Sequence, residues 1–377
     1  MANNIAIIEN HIISTNTVRF VLTKYLIDAG YNVTILSTGT EKELGIARSF
    51  GFTVIDVGTS NTKPTEVLRY INTLRKTLKM IKADICLTFT MRPAIWGNIV
   101  TGLLGIPTIT NITGIGPLAE NNSSVYQLAR ILYKFVLKKT ARVFFQNNDD
   151  CQLFLDKKFV KPSQVEIIPG SGVDTGYFYP MPKKHNQDTF VFLYISRLIK
   201  DKGILEFVEA ARILKNQNIP AEFHVLGPYY SQNLKENIVT EKQIVHWVEA
   251  GTVKYLGAAA DVRPYIADSD CIVLPSYREG MSNVLLEAGS MEKPSITSDT
   301  TGCRDIVVPN ETGYLCKVKD ADDLAEKMLK MYNLDNAARE EMGKKARELM
   351  KVKFAKQIVI NAYAAAIETV LKNHPKK

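Results

Sequence analysis

The chain has 377 residues, 46% of them hydrophobic and 23% charged, with 22 glycines and 15 prolines; this is an ordinary globular composition that excludes collagen-like, disordered and coiled-coil chains. At roughly 150 residues per domain the length suits two domains, each able to bury a core. The net charge is +8, and five cysteines with no CxxC pair and no nearby histidine cluster exclude a disulfide framework and a structural zinc site.

The chain opens on an apolar, β-rich run, NIAIIEN, followed by a helical stretch Asn16 to Ala29 that stops at Gly30. Strands are predicted at YNVTILS, FTVIDVG, ADICLTF, PTITNIT, RVFFQN and VEIIPG, with helical patterns between most of them. Strands alternating with helices make βαβ units and a mainly parallel sheet. After a polar linker near Tyr179 to Thr189 the alternation restarts: FVFLYIS, a helix Gly203 to Gln217, AEFHVLG, VKYLG, CIVLPS, PSITS and GYLCKV. Helices are predicted at Val262 to Ala267, Asn283 to Met291 and Ala321 to Tyr332, and a last one at about Ala355 to Lys372 has no strand after it. The expected division is 1–178, 179–354 and a terminal helix 355–377. No export signal is read at the N-terminus, and the apolar stretch Ala94 to Ile109, broken by Asn98 and Pro107, is too short to span a bilayer. Those features point to a cytoplasmic protein.

The charge is uneven. Met1 to Phe178 holds 19 basic and 13 acidic residues, and Lys63 to Arg142 alone holds 12 against 3. Two stretches read as basic amphipathic helices, Thr65 to Lys82 and Ser124 to Lys139. In the second, Arg130, Lys134 and Lys138 recur at every fourth position and so share one face, with Leu128, Ile131, Leu132, Phe135 and Val136 largely opposite. This bias suits an anionic surface or an anionic acceptor. No nucleic-acid-binding signature accompanies it.

Several chemistries are absent from the sequence. No GxGxxG follows the first strand, no GxxxxGK[ST] phosphate loop occurs, and no GxSxG is present. The triplet Asp268-Ser269-Asp270 precedes a strand rather than following one, which suits a helix-terminating role better than a metal. The histidines His11, His185, His224, His246 and His374 lack ligand spacing, so neither a metal nor any other cofactor is expected.

Chemistry concentrates in Pro275 to Asp299, PSYREGMSNVLLEAGSMEKPSITSD. A strand ends at Pro275, a loop follows, and a helix begins near Asn283. Glu279 in the loop and Glu287 in the helix can share one crevice at the strand's carboxyl end. Gly280 allows close backbone approach, and the N–H groups of Ser282, Asn283 and Val284 at the helix start form a seat for a diphosphate. SRLIKDKG, after the strand FVFLYIS, adds Arg197 and Lys202, two cations suited to the same anion.

These motifs, with FHVLGP and VKYLG, resemble the retaining glycosyltransferases of family 4, of GT-B architecture, and most closely bacterial enzymes that build capsule, O-antigen and lipid-linked glycans. ITNITGIG (Ile109 to Gly116), VFFQNNDD (Val143 to Asp150) and IIPGSGVDTGYF (Ile167 to Phe178) extend the resemblance into the first half. The resemblance implies two doubly wound Rossmann-like domains facing across a crevice, with the terminal helix crossing back to the first. It implies that Arg197 and Lys202 neutralise the departing diphosphate and that Glu279 faces the donor sugar. Backbone N–H groups of Met281 to Val284 would meet sugar and phosphate, Glu287 would hold the ribose, and Gly227, Tyr255 and Leu256 would lie by the base. The implied reaction is retaining transfer of a hexose or N-acetylhexosamine from a nucleotide sugar, expected to be UDP-linked, to a polyprenyl-diphosphate-linked saccharide, at the inner face of the cell membrane.

One departure stands out. Many members of the family place a glycine-rich turn after the first strand, near the donor phosphates; this chain has Asn10-His11-Ile12-Ile13 there. Three roles stay open for His11: replacing that contact, meeting the acceptor, or a structural one; the loop at Thr113 and Gly114 permits close backbone approach. Both are acceptor-side candidates, with Arg92, Arg69, Arg130 and Lys134 to attract the acceptor's diphosphate or anionic lipid. Two alternative readings stay open: an isomerase of the same architecture such as a UDP-sugar 2-epimerase, and a membrane-binding scaffold without turnover.

Overall fold

The computed structural model describes residues 2–58, 63–115, 124–184, 189–229 and 237–375, with the side chains of 124–126 also left aside. Gly116, His185 and part of the linker at 179–189 lie outside the described residues. The chain forms two compact units, 1–171 with 356–377, and 172–355.

The first unit is built on seven parallel strands in the order β3-β2-β1-β4-β5-β6-β7. In chain order it runs β1 (Asn4–Ile8), α1 (Ile13–Asn16), α2 (Phe20–Asp28), β2 (Asn32–Ser37), α3 (Glu41–Ser49), β3 (Thr53–Asp56), α4 (Pro64–Met80) and β4 (Ile85–Phe89). A π-helical turn, Pro93–Gly97, leads into α5 (Asn98–Leu104). Then come β5 (Thr108–Ile112), α6 (Ser124–Val136), β6 (Arg142–Phe145), α7 (Asn148–Asp156) and β7 (Val165–Ile167). Alternate strand residues enter opposite cores. Ile5, Ile7, Ile35, Leu87 and Phe144 pack with α2 and α3, and also with Val359, Ile360, Tyr363 and Ile367 of the terminal helix. Ala6, Ile8, Leu36 and Cys86 pack against Tyr70, Leu74 and Leu78 of α4 and Val100 of α5. Val143 and Phe145 face Ala129 and Tyr133 of α6 and Phe154 of α7. One face of the sheet therefore carries α4, α5, α6 and α7.

The helix predicted over Asn16–Ala29 starts later, at Phe20; Asn16 instead ends the short α1, with a break at 17–19 between the two helices. At the break Arg19 turns inward, its Nε 2.7 Å from the buried Glu9 carboxylate and its guanidinium 4.1 Å from the centre of the Phe89 ring. Local capping sets other boundaries; Thr40 and Glu43, for example, form a reciprocal box at the start of α3.

The second unit has six parallel strands in the order β10-β9-β8-β11-β12-β13. It runs β8 (Phe190–Ile195), α8 (Ile204–Asn216), β9 (Ala221–Leu226), α9 (Glu241–Glu249), β10 (Lys254–Tyr255), α10 (Arg263–Asp268) and β11 (Cys271–Leu274). There follow α11 (Asn283–Ser290), β12 (Ser295–Ser298), β13 (Gly313–Cys316), α12 (Ala321–Tyr332) and α13 (Asn336–Lys353). The helices α9 and α13 were not among the predicted elements. Gly172–Phe178 belongs to this unit, upstream of the boundary expected at Tyr179. Val173 sits in its core and donates its N–H to the Phe354 carbonyl at 2.8 Å, and the Phe178 carbonyl accepts Ser290 Oγ at 2.5 Å.

The last helix, α14 (Lys356–Asn373), lies in the first unit. Its Tyr363 hydroxyl accepts from Asn111 Nδ2 at 2.8 Å, and Lys356 Nζ donates to the carbonyls of Ser171 at 2.7 Å and Val18 at 3.1 Å.

Candidate functional site

Strand order in the second unit reverses between β8 and β11, and ligands of doubly wound sheets bind at the carboxyl ends beside such a reversal. The loops following β8 and β11 carry Lys202 and Glu279. Their side chains meet: Lys202 Nζ lies 2.5 Å from Glu279 Oε1, and each side chain is 14% exposed. Ser276 Oγ donates to the same oxygen at 2.9 Å. A cation and a carboxylate thus share a partly dry position where each keeps some access to solvent.

Two glycines make this geometry possible. Gly203 has φ +72°, and a Cβ there would lie 2.0 Å from the Pro275 carbonyl oxygen. The Lys202 turn therefore rests directly on the start of the Glu279 loop. Gly302, at φ +74°, backs the same loop; a Cβ on it would fall 2.6 Å from the carbonyl oxygens of both Glu279 and Gly280. The Glu279 N–H donates to the Thr301 carbonyl at 3.1 Å. Tyr277 adds a further tie, its N–H on the Asp201 carbonyl at 2.9 Å and its hydroxyl donating to Glu206 Oε1 of α8 at 2.8 Å. Burial beside Glu206 pushes the Tyr277 phenol up, so it stays a donor.

The helix start is more committed than its sequence suggests. Ser282 Oγ caps α11 by accepting the Leu285 N–H at 3.4 Å, and the Ser282 N–H donates to the Gly302 carbonyl at 3.1 Å. The N–H expected from Ser282 for a diphosphate is therefore occupied, because Gly302 packs under the loop. Among the described residues no bond is formed by the N–H groups of Asn283 and Val284. Met281 is half-buried and packs its side chain against the core. Glu287 is half-buried in the second turn of α11, Arg197 is exposed at the end of β8, and Gly280 is half-buried. Across the sheet, Tyr255 donates its hydroxyl to the Gly227 carbonyl at 2.9 Å, the Gly227 N–H donates to the Gly257 carbonyl at 2.7 Å, and Leu256 donates to Val225 at 2.8 Å. Gly227, Tyr255 and Leu256 therefore form one hydrogen-bonded edge beside the Arg197 loop.

Sequence reasoning missed Ser276, Glu206 and Gly302; only the tertiary path of the loop gives them a role. Cys303 lies close to Glu279 and Lys202, but burial pushes its thiol up and leaves it neutral. Among the described residues no group of three or more His, Cys, Asp and Glu side chains is placed to hold a metal ion. Asp268 accepts the Lys184 N–H at 2.7 Å, and Asp270 accepts Lys183 Nζ at 2.8 Å and the Val191 N–H at 2.7 Å.

In the first unit the acceptor-side candidates separate into two groups. His11, Arg92, and Thr113 with Gly114 follow β1, β4 and β5, three neighbours in the sheet, at one carboxyl edge. His11 Nδ1 accepts the Ile13 N–H at 3.4 Å, and its Nε2 is 3.8 Å from Glu43. Arg69 instead sits on helix α4, and Arg130 and Lys134 on α6. The unpredicted Glu9–Arg19 pair lies beneath the β1 end. Burial raises the Glu9 carboxyl to about 7, with Arg19 opposing.

Two doubly wound units define the architectural class, and solved proteins share it. A glycosyltransferase from Rickettsia africae aligns with a TM-score of 0.80 and 19% identity over 99% of both chains. An Anabaena protein solved with UDP-glucose aligns with a TM-score of 0.81 and 16% identity over 97% of this chain and 99% of that one. The fold is GT-B. A family model described as "Glycosyl transferases group 1" matches residues 179–349, and one described as "Glycosyl transferase 4-like" matches 5–147. The chain belongs to this glycosyltransferase family. It is 31% identical to a capsular polysaccharide biosynthesis glycosyltransferase of Staphylococcus aureus, over 50% of this chain and 49% of that protein, so it spans about half of that relative's length. It is 29% identical, over 70% of each chain, to the Escherichia coli UDP-Gal:alpha-D-GlcNAc-diphosphoundecaprenol alpha-1,3-galactosyltransferase. It is 26% identical to the Campylobacter jejuni N,N'-diacetylbacillosaminyl-diphospho-undecaprenol alpha-1,3-N-acetylgalactosaminyltransferase, over 86% of this chain and 88% of that protein.

Proposed function

We propose that the protein moves a hexose or N-acetylhexosamine from a UDP-sugar to a polyprenyl-diphosphate-linked saccharide, with retention at the anomeric carbon, while peripherally associated with a membrane surface. The observation that carries this reading is the Lys202–Glu279 pair at the switch point of the second unit. The names of two relatives, each an alpha-1,3-transferase acting on a diphosphoundecaprenol-linked sugar, support the acceptor class.

In this reading Lys202 and Arg197 bind the donor diphosphate and stabilise the charge that grows as the C1–O bond to phosphate breaks. Glu279 orients the donor sugar through its hydroxyls. The N–H groups of Gly280, Met281, Asn283 and Val284 face sugar and phosphate, Glu287 takes the ribose, and the edge at Gly227, Tyr255 and Leu256 takes the base. The acceptor oxygen attacks C1 on the face the phosphate leaves, and its proton passes to the departing phosphate oxygen. Bond making and breaking balance without an enzyme nucleophile, so catalysis rests on position and electrostatics. His11, Arg92, Thr113 and Gly114 lie on the acceptor side, and Arg69, Arg130 and Lys134 draw in anionic groups.

The test is release of nucleoside diphosphate from a panel of UDP-, GDP- and ADP-sugars, in chelator, with and without a membrane extract. Extract-dependent release from one UDP-sugar, abolished in Glu279→Ala, is the expected result. A sugar epimer appearing without release, or undiminished turnover in Glu279→Ala, overturns the reading.

A further inference from the structure

Helix α6 buries only part of its apolar surface. Ala129 and Tyr133 enter the core, with Leu132 and Val136 packed beside them, and the Tyr133 ring meets Phe154 edge-on at 5.6 Å. Leu128, Ile131 and Phe135 point the other way and are 56%, 53% and 67% exposed. Their spacing of three and four residues lines them up as one outward stripe. The sequence pattern placed Leu128, Ile131, Leu132, Phe135 and Val136 largely opposite the cations; the structure divides them between core and surface. Among the described residues, the core that takes up Ala129 and Tyr133 does not include this stripe.

The surroundings narrow what covers it. Lys134, Lys138 and Lys139 are exposed at the same helix and the turn after it. No acidic residue occurs between Ser124 and Lys139. Helix α5 packs against both α6 and α4 and exposes Leu103 by 73%, while α4 exposes Leu68 and Met80, each by 66%. Arg69, Arg75, Lys76 and Lys79 of α4 are also exposed. Apolar tips set among cations along three helices of one sheet face complement an anionic lipid interface, where the tips enter the acyl boundary and the cations meet headgroups. A second copy meeting this face symmetrically would set cation against cation.

We infer that the outer face of α6, flanked by Leu103 of α5, docks in the plane of an anionic phospholipid bilayer by inserting Leu128, Ile131 and Phe135. This deepens the proposed function and rests on that reading for its purpose, which is to hold the chain where a lipid-linked acceptor lies. It differs from attraction by charge alone in having a component that salt does not remove.

Sedimentation of the full chain with phosphatidylcholine vesicles containing phosphatidylglycerol tests it. Binding is expected at low salt, with a residue of binding at high salt. Replacing Leu128, Ile131 and Phe135 by Ser weakens partitioning about 5-fold for each residue and on the order of 100-fold together, and removes the salt-resistant part. Replacing Lys138 and Lys139 by Gln weakens only the low-salt binding, by about 5-fold each. Phe135→Trp keeps the apolar contact, and its emission is expected to shift to the blue with vesicles and to be quenched by brominated acyl chains. Failure of the wild type to bind anionic vesicles, undiminished binding by the triple Ser variant, or a dimer in solution that this variant dissociates would overturn the inference. Turnover of a detergent-dispersed acceptor should survive in the triple Ser variant. Vesicle binding without any sugar transfer would fail the proposed function and leave the docking face standing.

Discussion

Lys202→Met tests the donor site most directly. Lys202 is held by the turn that Gly203 seats against Pro275 and is paired with Glu279 at 2.5 Å. In the proposed reaction, removing its charge takes away a fixed partner for the departing diphosphate. The loss of one such preorganised group costs about 3–4 kcal/mol in the transition state, a fall of about 10²–10³ in kcat. The same change strands the Glu279 carboxylate, 14% exposed, with Ser276 as its remaining short contact, so stability drops by about 1–3 kcal/mol. A second replacement, Glu279→Gln, removes the stranded charge. The double variant is therefore expected to recover thermal stability while activity stays low. The assay is kcat and KM for nucleoside diphosphate release, with thermal unfolding in parallel. Turnover within tenfold of wild type in Lys202→Met refutes the argument, as would a double variant less stable than the single one.

Three further outcomes follow from the packing. Gly203→Ala places a Cβ 2.0 Å from the Pro275 oxygen at a positive φ; the loop has to move, and donor binding measured by calorimetry should fall at least tenfold, with a stability loss of about 1–3 kcal/mol. Ser282→Ala removes the α11 cap, which costs about 1 kcal/mol by chemical denaturation. Glu9 links stability to pH. Burial keeps its carboxyl protonated up to about 7, against an ordinary value of 4.5, so the folded state holds an extra proton between those values. Its contribution is fully present below about pH 4.5 and fades as pH rises toward 7, by on the order of 3 kcal/mol. Glu9→Gln should flatten that slope of stability against pH, and Arg19→Met, which leaves the carboxyl buried without its cation, should carry the slope to higher pH.

Sequence alone determined the elements that depend on local chemistry. The strands are dense in β-branched and aromatic residues, so each apolar run marks one, and the βα alternation forces parallel sheets. The loop of Glu279, the turn of Lys202 and the helix start at Ser282 were legible because strand end, glycine and capping residue lie close together in the chain. Tertiary structure decided everything that depends on distant partners. The Ser282 N–H is taken by Gly302 and Glu279 is backed by the same residue, contacts that no spacing rule encodes. Arg19 falls inside the predicted helix but lies between α1 and α2, where it meets the buried Glu9 carboxyl ten residues earlier, at the end of β1. Helix α6 is apolar over most of its circumference, and periodicity cannot say which stripe finds the sheet; the neighbours Phe154 and Val143 select Tyr133 and Ala129. Local propensity is a property of a few adjacent residues, whereas burial is a competition among all of them, and it is burial that leaves Leu128, Ile131 and Phe135 outside.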